Sequence, residues 1–576
     1  MRVLKNILLC SLLQAAFACS KTNNGGGTTG GGNTGGGSPP APTDPVTAST
    51  QGFFLDSWAP KNFTVPAYTD TTVPSAAASV FVTVDASSIL TKVPASVFGN
   101  NANIWMTQMV TEPALINHVK NVQPHVIRFP GGSISDVFFW NALNGVRPAD
   151  APATLPDANG TASAAGYWYG RNTESWTCSV DNYYNMLQQT GNEGMITVNY
   201  GYARYGTGPN PVTQAAHLAA DWVRYDNGRT RYWEIGNECN GTWEAGYRIN
   251  TATNRDGQPQ IVTGALYGQH VKVFVDSMQN AAKSIGKTIY IGGYLLEAQP
   301  QSWQTATDQS WNAGMLAQSA NKADYYVIHS YYTPYKTNAT ADVILATAGD
   351  NTVVMMNYIK QNIAAGGATV KPIALNEWNI TSEGSMQQVS FVNGLHATIL
   401  LGEAIKNKYG MTGRWDMANG WENGNDHGLF NIGDEPGVTK WNPRPAFYYL
   451  YYFQKMLGDR MLNTSVTGTG VVAYTSSFTS GEKGAVIVNK NNTAQTVQLT
   501  LQNFTPGARF YWYMLTGGSD NGEFSRKVFV NGKGPGEASG GPAAEYTTLK
   551  AYSALTGGGV KVTVPARGAA FLVMDK

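Results

Sequence analysis

The central part of the chain alternates short apolar runs with segments of helical periodicity. Eight apolar, β-branched or aromatic runs predict strands at 96–101, 126–130, 195–200, 232–237, 288–293, 325–330, 372–376 and 413–418. Helical patterns between them are clearest at 212–224, 267–284, 352–364 and 387–406. Strands that alternate with helices form parallel βα units. Eight such units predict a (β/α)8 TIM barrel over residues 93–455.

After residue 455 the pattern changes to alternating apolar and polar positions, with turn residues between the runs and no helical segment. The alternating runs lie at 471–477, 485–489, 497–501, 510–515, 560–564 and 570–574. This pattern is typical of a β-sandwich. A similar run at 79–84 is expected to add a strand to it. The predicted domains after the N-terminal leader are strands over 52–92 that join the sandwich, the barrel over 93–455, and the β-sandwich over 456–576.

The first residues predict an export signal over residues 1–19. Arg2 and Lys5 precede an apolar stretch, residues 7–18, that is shorter than the roughly 20 residues needed to cross a bilayer. Cys19 follows Ala18 as in a bacterial lipoprotein cleavage box, so we expect lipidation at Cys19, with simple secretion as the alternative. Residues 20–51, rich in Gly, Thr, Ser and Pro, predict a flexible linker. The expected location is the outer membrane of a bacterium, with the folded part facing the periplasm or the cell surface.

The charge balance narrows the classes of partner. The chain has 39 Lys and Arg against 38 Asp and Glu, a formal net charge of +1, and only 13% charged residues. Without a basic surplus it lacks the electrostatic attraction that dominates nucleic-acid binding, so no nucleic-acid partner is predicted. The sequence contains no CxxC, HExxH or phosphate-loop spacing, and no metal or cofactor is assigned. Cys178 and Cys239 could form a disulfide or remain buried thiols.

Two carboxylates at predicted strand ends carry the candidate chemistry. The fourth predicted strand runs through WEIGNE and ends at Asn237 and Glu238, and the seventh runs through ALNEWN and contains Glu377. In a barrel of this type the C-terminal ends of all strands meet at one mouth. Glycosidic-bond cleavage requires a pair of carboxylates in such a position. The alternative, two structural carboxylates in caps or salt bridges, is the less favoured interpretation in a chain with so few charges.

The WEIGNE and ALNEWN segments, VIRFPGG on the second strand and the terminal β-sandwich together resemble the clan A glycoside hydrolases, and most of all the family 51 α-L-arabinofuranosidases and their relatives. The resemblance covers most of the chain from about residue 96 onward. It implies that Glu238 is the acid/base and Glu377 the nucleophile. It also implies four residues that bind substrate or flank the nucleophile: Arg128, Asn237, His329 and Tyr331.

The resemblance implies a retaining mechanism, in which the two carboxyl groups lie about 5–5.5 Å apart. Glu377 would attack the anomeric carbon while Glu238 protonates the leaving oxygen and later activates water. We expect the charge of Glu377 to raise the pKa of Glu238. Arg128 is expected to keep Glu377 ionised by charge pairing, and Tyr331 to orient it by hydrogen bonding.

Two features depart from the family. Asn376 stands directly before the nucleophile, where family 51 members typically carry an acidic residue. The loop after the second strand, residues 141–179, is long and rich in Gly, Ala and aromatic residues. Both departures suggest a divergent branch with its own substrate.

Several aromatic and acidic residues near strand ends are secondary candidates. Trp378 and Trp421 are predicted to bind substrate, because the CH faces of sugars pack on flat rings, and wall packing is the alternative for them and for Trp441. The long loop offers a substrate platform or a solvent shield: Trp168, Tyr169 and Trp176. Glu234, deeper in the fourth strand, is predicted to be structural. Three acidic residues near strand eight receive no assigned role: Asp416, Glu422 and Asp426.

These features together predict an exported retaining glycoside hydrolase that acts on a polysaccharide or oligosaccharide. The first expectation is an α-L-arabinofuranosidase that removes side chains of plant polysaccharides. An endo-β-glycanase of the same clan, cutting xylan or glucan, is the first alternative. A non-catalytic carbohydrate-binding lipoprotein is the second, although a pure binder would tolerate losing either Glu238 or Glu377.

Overall fold

The computed structural model describes residues 42–421 and 426–576. Within them, eight parallel strands close into a barrel in which each strand pairs with the next along the chain and the last pairs with the first. We call them strands one to eight: Gly99–Asn101, Val126–Phe129, Glu193–Val198, Thr230–Ile235, Tyr290–Tyr294, Tyr325–Tyr331, Ile373–Asn379 and Met411–Arg414. They fall on the eight predicted segments, and the (β/α)8 barrel is confirmed.

Helices surround the barrel, and many of them begin at a residue that the sequence marks as a cap. The described α-helices are Pro113–Val122, Val180–Thr190, Gly201–Tyr205, Pro211–Asp226, Gly264–Ser284, Ala306–Gln318, Ala341–Ala365, Phe391–Lys406 and Pro445–Met456. Side chains of Ser179, Thr263 and Thr305 accept hydrogen bonds from the first turns of their helices. Short 3₁₀ turns lie at Gly52–Leu55, Ala95–Val97, Gly132–Val137, Gly522–Phe524 and Thr556–Gly558.

Eleven strands form one continuous sheet that folds over its own apolar core as the predicted β-sandwich. They are Tyr68–Asp70, Val80–Lys92, Arg460–Thr467, Val471–Ser477, Lys483–Asn489, Gln495–Gln502, Arg509–Gly517, Val528–Val530, Ala551–Leu555, Val560–Val564 and Gly568–Met574. Val80–Lys92 lies between Arg460–Thr467 and Gln495–Gln502, so the sandwich takes in the N-terminal strand as predicted. Three small strand pairs decorate the barrel loops: Phe138–Phe139 with Trp168–Tyr169, Thr154–Pro156 with Ala162–Ala164, and Ala418–Asn419 with Phe430–Asn431.

The sandwich and the barrel share a buried boundary. Along Lys483–Asn489, Ala485 and Ile487 point into the sandwich core, whereas Val486 and Val488 belong to the core of the barrel. Both faces of this strand are buried. The helices Phe391–Lys406 and Pro445–Met456 pack against this side of the sheet.

The N-terminal segment closes the barrel at the end opposite the mouth. Phe53 stacks on Tyr290 with ring centroids 3.7 Å apart, and Phe54 is fully buried. Residues 42–51 also pack on the folded body, since Thr50 donates a hydrogen bond to the backbone oxygen of Lys408 at 2.8 Å. The predicted linker of residues 20–51 is therefore wrong at its C-terminal end. The rest of it, the export signal and Cys19 lie outside the described residues. Nowhere in the described chain does a helix have the length and apolar character needed to cross a membrane.

Candidate active site

Strand four ends at Ile235, and the chain then makes a left-handed turn at the barrel mouth. Gly236 has φ +72° and Glu238 has φ +39°. Asp136 holds the turn by accepting a hydrogen bond from the backbone N–H of Asn237 at 3.1 Å. As a result, Asn237 and Glu238 both face the centre of the barrel, although strict strand alternation would place them on opposite sides.

Both carboxyl oxygens of Glu238 have partners. Oε1 lies 3.0 Å from Nδ1 of His329, and Oε2 accepts a hydrogen bond from the indole N–H of Trp243 at 3.1 Å. The Glu238 side chain is 17% exposed, while that of Glu377 is 5% exposed. Glu238 is thus the more accessible of the two carboxylates.

Strand seven contains a β-bulge at the residue before Glu377. Its pairing with strand six passes from Ile328 opposite Leu375 to His329 opposite Glu377, which leaves Asn376 without a partner. Such a bulge turns two consecutive side chains to the same face. Asn376 donates to Glu234 at 2.9 Å, and Glu377 reaches the mouth. The bulge thus allows Asn376, which directly precedes Glu377, to point into the barrel as Glu377 does.

Glu377 is held from two sides. Its Oε2 accepts a hydrogen bond from Arg128 at 2.9 Å, and its Oε1 accepts one from the hydroxyl of Tyr331 at 2.8 Å. A carboxyl oxygen of Glu377, one of Glu238 and a ring nitrogen of His329 all lie within 4.8 Å of one another. Burial raises the pKa of Glu377, and the positive charges of His329 and Arg128 offset only part of that rise.

Arg128 organises the floor of the site. Its guanidinium donates to Glu234 and Asn237 at 2.8 Å and to Asn101 and Glu377 at 2.9 Å. Burial lowers the pKa of Arg128, but the charges of Glu234 and Glu377 outweigh this effect and raise it. Arg128 therefore pairs with Glu377, as expected from the sequence, and also with Glu234.

His329 lies between two carboxylates, with Nδ1 at Glu238 and Nε2 3.5 Å from Oε1 of Glu234. Burial lowers the pKa of His329, but Glu377, Glu234 and Glu238 outweigh it and raise the pKa to about 10. Burial raises the pKa of Glu234, but Arg128 and His329 reverse this and bring it to about 2. The described interior thus contains an imidazolium and a guanidinium joined by a fully buried carboxylate.

Two further carboxyl groups support the mouth and were missed in the sequence. Asp136 accepts backbone hydrogen bonds from Tyr200 and Gly201, each at 3.0 Å, and burial raises its pKa to about 7. Glu244 accepts from Ser133 at 2.7 Å and from the amide of Asn237 at 2.8 Å, and burial raises its pKa well above the ordinary value. No spacing distinguishes either residue from a surface carboxylate. The role of Asn237 in substrate binding stays a prediction.

The aromatic predictions have mixed outcomes. Trp378 is 1% exposed and packs towards His396 of the helix Phe391–Lys406, so its predicted role in substrate binding is wrong. The reason is alternation after the bulge: Glu377 points into the barrel and the next side chain points out. Trp441 is also buried, and its indole donates to Glu112 at 2.7 Å. Trp421 is partly exposed, with the guanidinium of Arg526 4.9 Å from its ring, and its contact with substrate stays a prediction.

The remaining candidates are placed as follows. In the long loop, Trp168 and Trp176 meet edge to face at 5.8 Å, and Tyr169 pairs with Phe139, so platform and shield both remain open. Asp416 accepts from Asn103, and Asp426 pairs with Arg444, which gives both carboxylates a structural partner. Glu422 lies outside the described residues. Cys178 and Cys239 are free and buried, so the disulfide alternative is wrong.

An open cleft of about 630 Å³ lies beyond Glu377, at the ends of strands eight and one. Its lining is Trp105, Trp415, Asn419, Gly420, His427, Ile432 and Asp434. The ring of His427 is 5.6 Å from that of Tyr331, whose hydroxyl donates to Glu377, so the cleft adjoins the surroundings of Glu377. The RFPGG segment borders it: Gly132 has φ +53°, and a Cβ there would lie 2.9 Å from the ring of Trp415. The second glycine of that motif is therefore required by close packing.

No family model matches the chain. Among curated relatives it is similar to the intracellular exo-α-(1→5)-L-arabinofuranosidases of Acetivibrio thermocellus, 25% identical over 285 residues, and of Streptomyces lividans, 24% identical over 285 residues. Both alignments cover 46% of this chain, and they cover 48% and 36% of those proteins. The chain thus spans half or less of the length of the curated relatives it matches.

Solved structures extend the likeness to the whole fold. A family 51 α-L-arabinofuranosidase of Thermotoga petrophila superposes with a TM-score of 0.59 at 14% identity, over 86% of this chain and 100% of that one. A family 44 xyloglucanase of Paenibacillus polymyxa gives a TM-score of 0.55 at 11% identity, over 87% and 100%. At such identities the likeness shows the barrel-and-sandwich fold alone. Sequence and fold together therefore confirm the predicted resemblance to clan A glycoside hydrolases, above all to those of family 51.

Proposed function

We propose that this protein is a retaining glycoside hydrolase, with Glu377 as nucleophile and Glu238 as acid/base. The observation that supports it best is the approach of the two carboxyl groups, whose nearest oxygens lie within 4.8 Å across the barrel mouth. Retaining enzymes place their carboxyl groups about 5–5.5 Å apart, whereas inverting enzymes need about 6.5–9.5 Å to admit a water molecule. The separation favours direct attack by Glu377.

In the first step, a carboxylate oxygen of Glu377 forms a bond to the anomeric carbon. The bond from that carbon to the leaving oxygen breaks, and Glu238 gives this oxygen its proton. Arg128 and Tyr331 each hold one oxygen of Glu377, which fixes the carboxylate for attack. The hydrogen bond between Nδ1 of His329 and Glu238 stabilises the carboxylate that remains.

In the second step, Glu238 takes a proton from water, and the resulting hydroxide attacks the anomeric carbon. The ester bond to Glu377 breaks and the sugar leaves with its original configuration. Because esterification removes the charge of Glu377, the neighbouring Glu238 meets less repulsion in this step and can serve as base. One residue thus acts first as acid and then as base.

We propose an α-L-arabinofuranoside on a plant polysaccharide as the substrate. The support is the kind of relative found: the curated proteins are named exo-α-(1→5)-L-arabinofuranosidases. Those proteins are named intracellular, whereas residues 1–19 of this chain predict export and lipidation at Cys19. The proposed place of action is therefore outside the cytoplasm, where polymeric substrate is met.

The test is hydrolysis by the purified protein beside Glu377→Gln and Glu238→Gln. Aryl glycosides, arabinan, arabinoxylan, xylan and glucan are supplied, and NMR identifies the first anomer released. Arabinose with retained configuration is expected, with a loss of at least about a thousandfold in Glu377→Gln. Inverted product would contradict the mechanism. Absence of turnover with polysaccharide binding intact would instead favour the non-catalytic binding protein.

An endo-β-glycanase is the second candidate, and the cleft beside Trp105 and Trp415 favours it. Strands eight and one lie across Glu377 from strand four, so this cleft is on the side of the sugar that stays with the nucleophile. An enzyme that removes single terminal sugars has no use for open space there. Release of oligosaccharides from xylan or glucan, with retained configuration, would select this candidate and keep both glutamate roles.

A further inference from the structure

Three aromatic side chains at the barrel mouth are the most exposed ones in the described part of the chain. Trp303 is 81% exposed, Tyr335 75% and Trp243 65%, whereas the next, Trp176, is 47% exposed. Single exposed rings are ordinary, but several that lie together on one face commonly mark a binding surface. Their shared exposure therefore requires a common explanation.

The three rings follow three neighbouring strands of the barrel. Trp243 lies after strand four, Trp303 after strand five and Tyr335 after strand six, each in the loop that leads to the next helix. Strands four, five and six pair with one another in this order. Their C-terminal loops therefore meet on one rim of the mouth. Glu238, at the end of strand four, belongs to the same rim.

Hydrogen bonds hold these loops in place. The amide of Asn240 donates to Asp308 at 2.7 Å, which ties the loop of Trp243 to the helix that begins just after Trp303. The backbone N–H of Gln304 donates to the backbone oxygen of Gln301 at 2.9 Å and closes a turn around Trp303. Exposure of the rings is thus built into ordered turns.

The chemistry of the rim identifies what covers it. The acid delivers its proton to the leaving oxygen, so the departing part of the substrate lies on the side of Glu238. Trp243 touches Glu238 through its indole N–H, and Trp303 and Tyr335 belong to the loops that follow the next two strands around the barrel. Flat rings with amide side chains such as Gln301 beside them suit the CH faces and hydroxyl groups of an uncharged sugar chain.

We propose that Trp243, Trp303 and Tyr335 form a leaving-group platform, which binds the polysaccharide chain from which the sugar is cut. This inference rests on the proposed function, since it takes Glu238 as the acid. It adds the residues that bind the leaving part of the substrate and a preference: the protein prefers a leaving group of several sugar units to a small one.

The test uses the full chain and the double variant Trp303→Ala/Tyr335→Ala, on arabinoxylan and on p-nitrophenyl α-L-arabinofuranoside. We measure the ratio of kcat/KM for the polymer to kcat/KM for the aryl glycoside. Each stacked ring contributes a few-fold, so the double variant is expected to lower this ratio about tenfold. The conservative Trp303→Phe/Tyr335→Phe variant should restore most of it. Phe81→Ala, an exposed ring of the sandwich at 43%, is the matched control and should leave the ratio unchanged.

The outcomes separate this inference from the proposed function. An unchanged ratio in the double variant, or an equal fall in the Phe81 control, would overturn the platform while the hydrolase stands. If the wild type hydrolyses neither substrate, the proposed function fails, and the platform is then judged by retardation in native gels that contain arabinoxylan. Weaker retardation of the double variant would support the platform, and equal retardation would overturn it.

Discussion

The charge state of His329 has a measurable effect on stability. The imidazole is buried between Glu234 and Glu238, and these carboxylates with Glu377 raise its pKa from 6.5 to about 10. A raised pKa in the folded state contributes stability below the unfolded pKa, and this contribution disappears as pH rises through the folded one. The protein should therefore lose stability between about pH 6.5 and pH 10.

The magnitude follows from the size of the shift. A rise from 6.5 to about 10 is 3.5 units, which at about 1.36 kcal/mol per unit corresponds to about 5 kcal/mol. Between pH 6 and pH 9 the two titration curves give a loss of about 3 kcal/mol. A typical domain is stable by about 5–15 kcal/mol, so this loss is large enough to be measured.

The assay is urea unfolding of the wild type and of His329→Gln from pH 6 to pH 9, read by tryptophan fluorescence. The variant is less stable at pH 6 and lacks the titrating group, so the difference between the two proteins should shrink by about 3 kcal/mol by pH 9. Parallel curves would refute the reasoning, because they would mean that His329 is already neutral at pH 6. NMR of ¹³C-labelled histidine, in which the His329 signal should not titrate below pH 8, provides the same answer without unfolding.

Four further substitutions test the buried carboxyl groups around the site and the packing of Trp378. Glu234 has its pKa lowered from 4.5 to about 2, so its stabilisation is present above about pH 4.5 and lost below it, and acid unfolding should show about 3 kcal/mol more loss in the wild type than in Glu234→Gln. Glu244→Gln should keep kcat/KM within about twofold, because an amide oxygen can accept the same hydrogen bonds from Ser133 and Asn237, whereas Glu244→Ala should lower it about tenfold by releasing Asn237. Trp378→Ala should cost about 3–5 kcal/mol in urea unfolding and leave KM unchanged.

For each of these substitutions, one outcome would contradict the prediction. Equal acid sensitivity of wild type and Glu234→Gln would mean that Arg128 and His329 do not lower the pKa of Glu234. A large loss of activity in Glu244→Gln, at unchanged thermal stability, would show that the charge of Glu244 is used. A raised KM in a stable Trp378→Ala protein would mean that Trp378 contributes to substrate binding after all.

Much of the architecture could be predicted from periodicity. All eight barrel strands and the N-terminal strand of the sandwich lie where alternating and helical patterns place them. Glu238 and Glu377 could be identified as candidates because acidic residues are rare in the chain and both lie at predicted strand ends. The bulge at Asn376 could not, since alternation assumes one residue per pairing position. Trp378 was misassigned because its flat ring suggested sugar packing, although alternation turns the residue after Glu377 outward.

The supporting carboxyl groups escaped prediction for a different reason. Asp136 and Glu244 act through burial and through hydrogen bonds to Asn237 and its backbone, and neither property leaves a pattern in the sequence. The role of Glu234 was only partly predicted: it is buried in an ion pair with Arg128, and it is also one of the carboxylates that raise the pKa of His329 beside Glu238. Long-range pairing of this kind appears only when the strands are assembled.

The strand Lys483–Asn489 has a practical consequence for handling this protein. Val486 and Val488 complete the core of the barrel. Cutting the chain after residue 455 would therefore expose an apolar surface along the helices Phe391–Lys406 and Pro445–Met456. A barrel expressed alone should therefore aggregate, and exchanging sandwiches between related proteins should require redesign of that surface. The barrel and the sandwich are best expressed and engineered as a single unit.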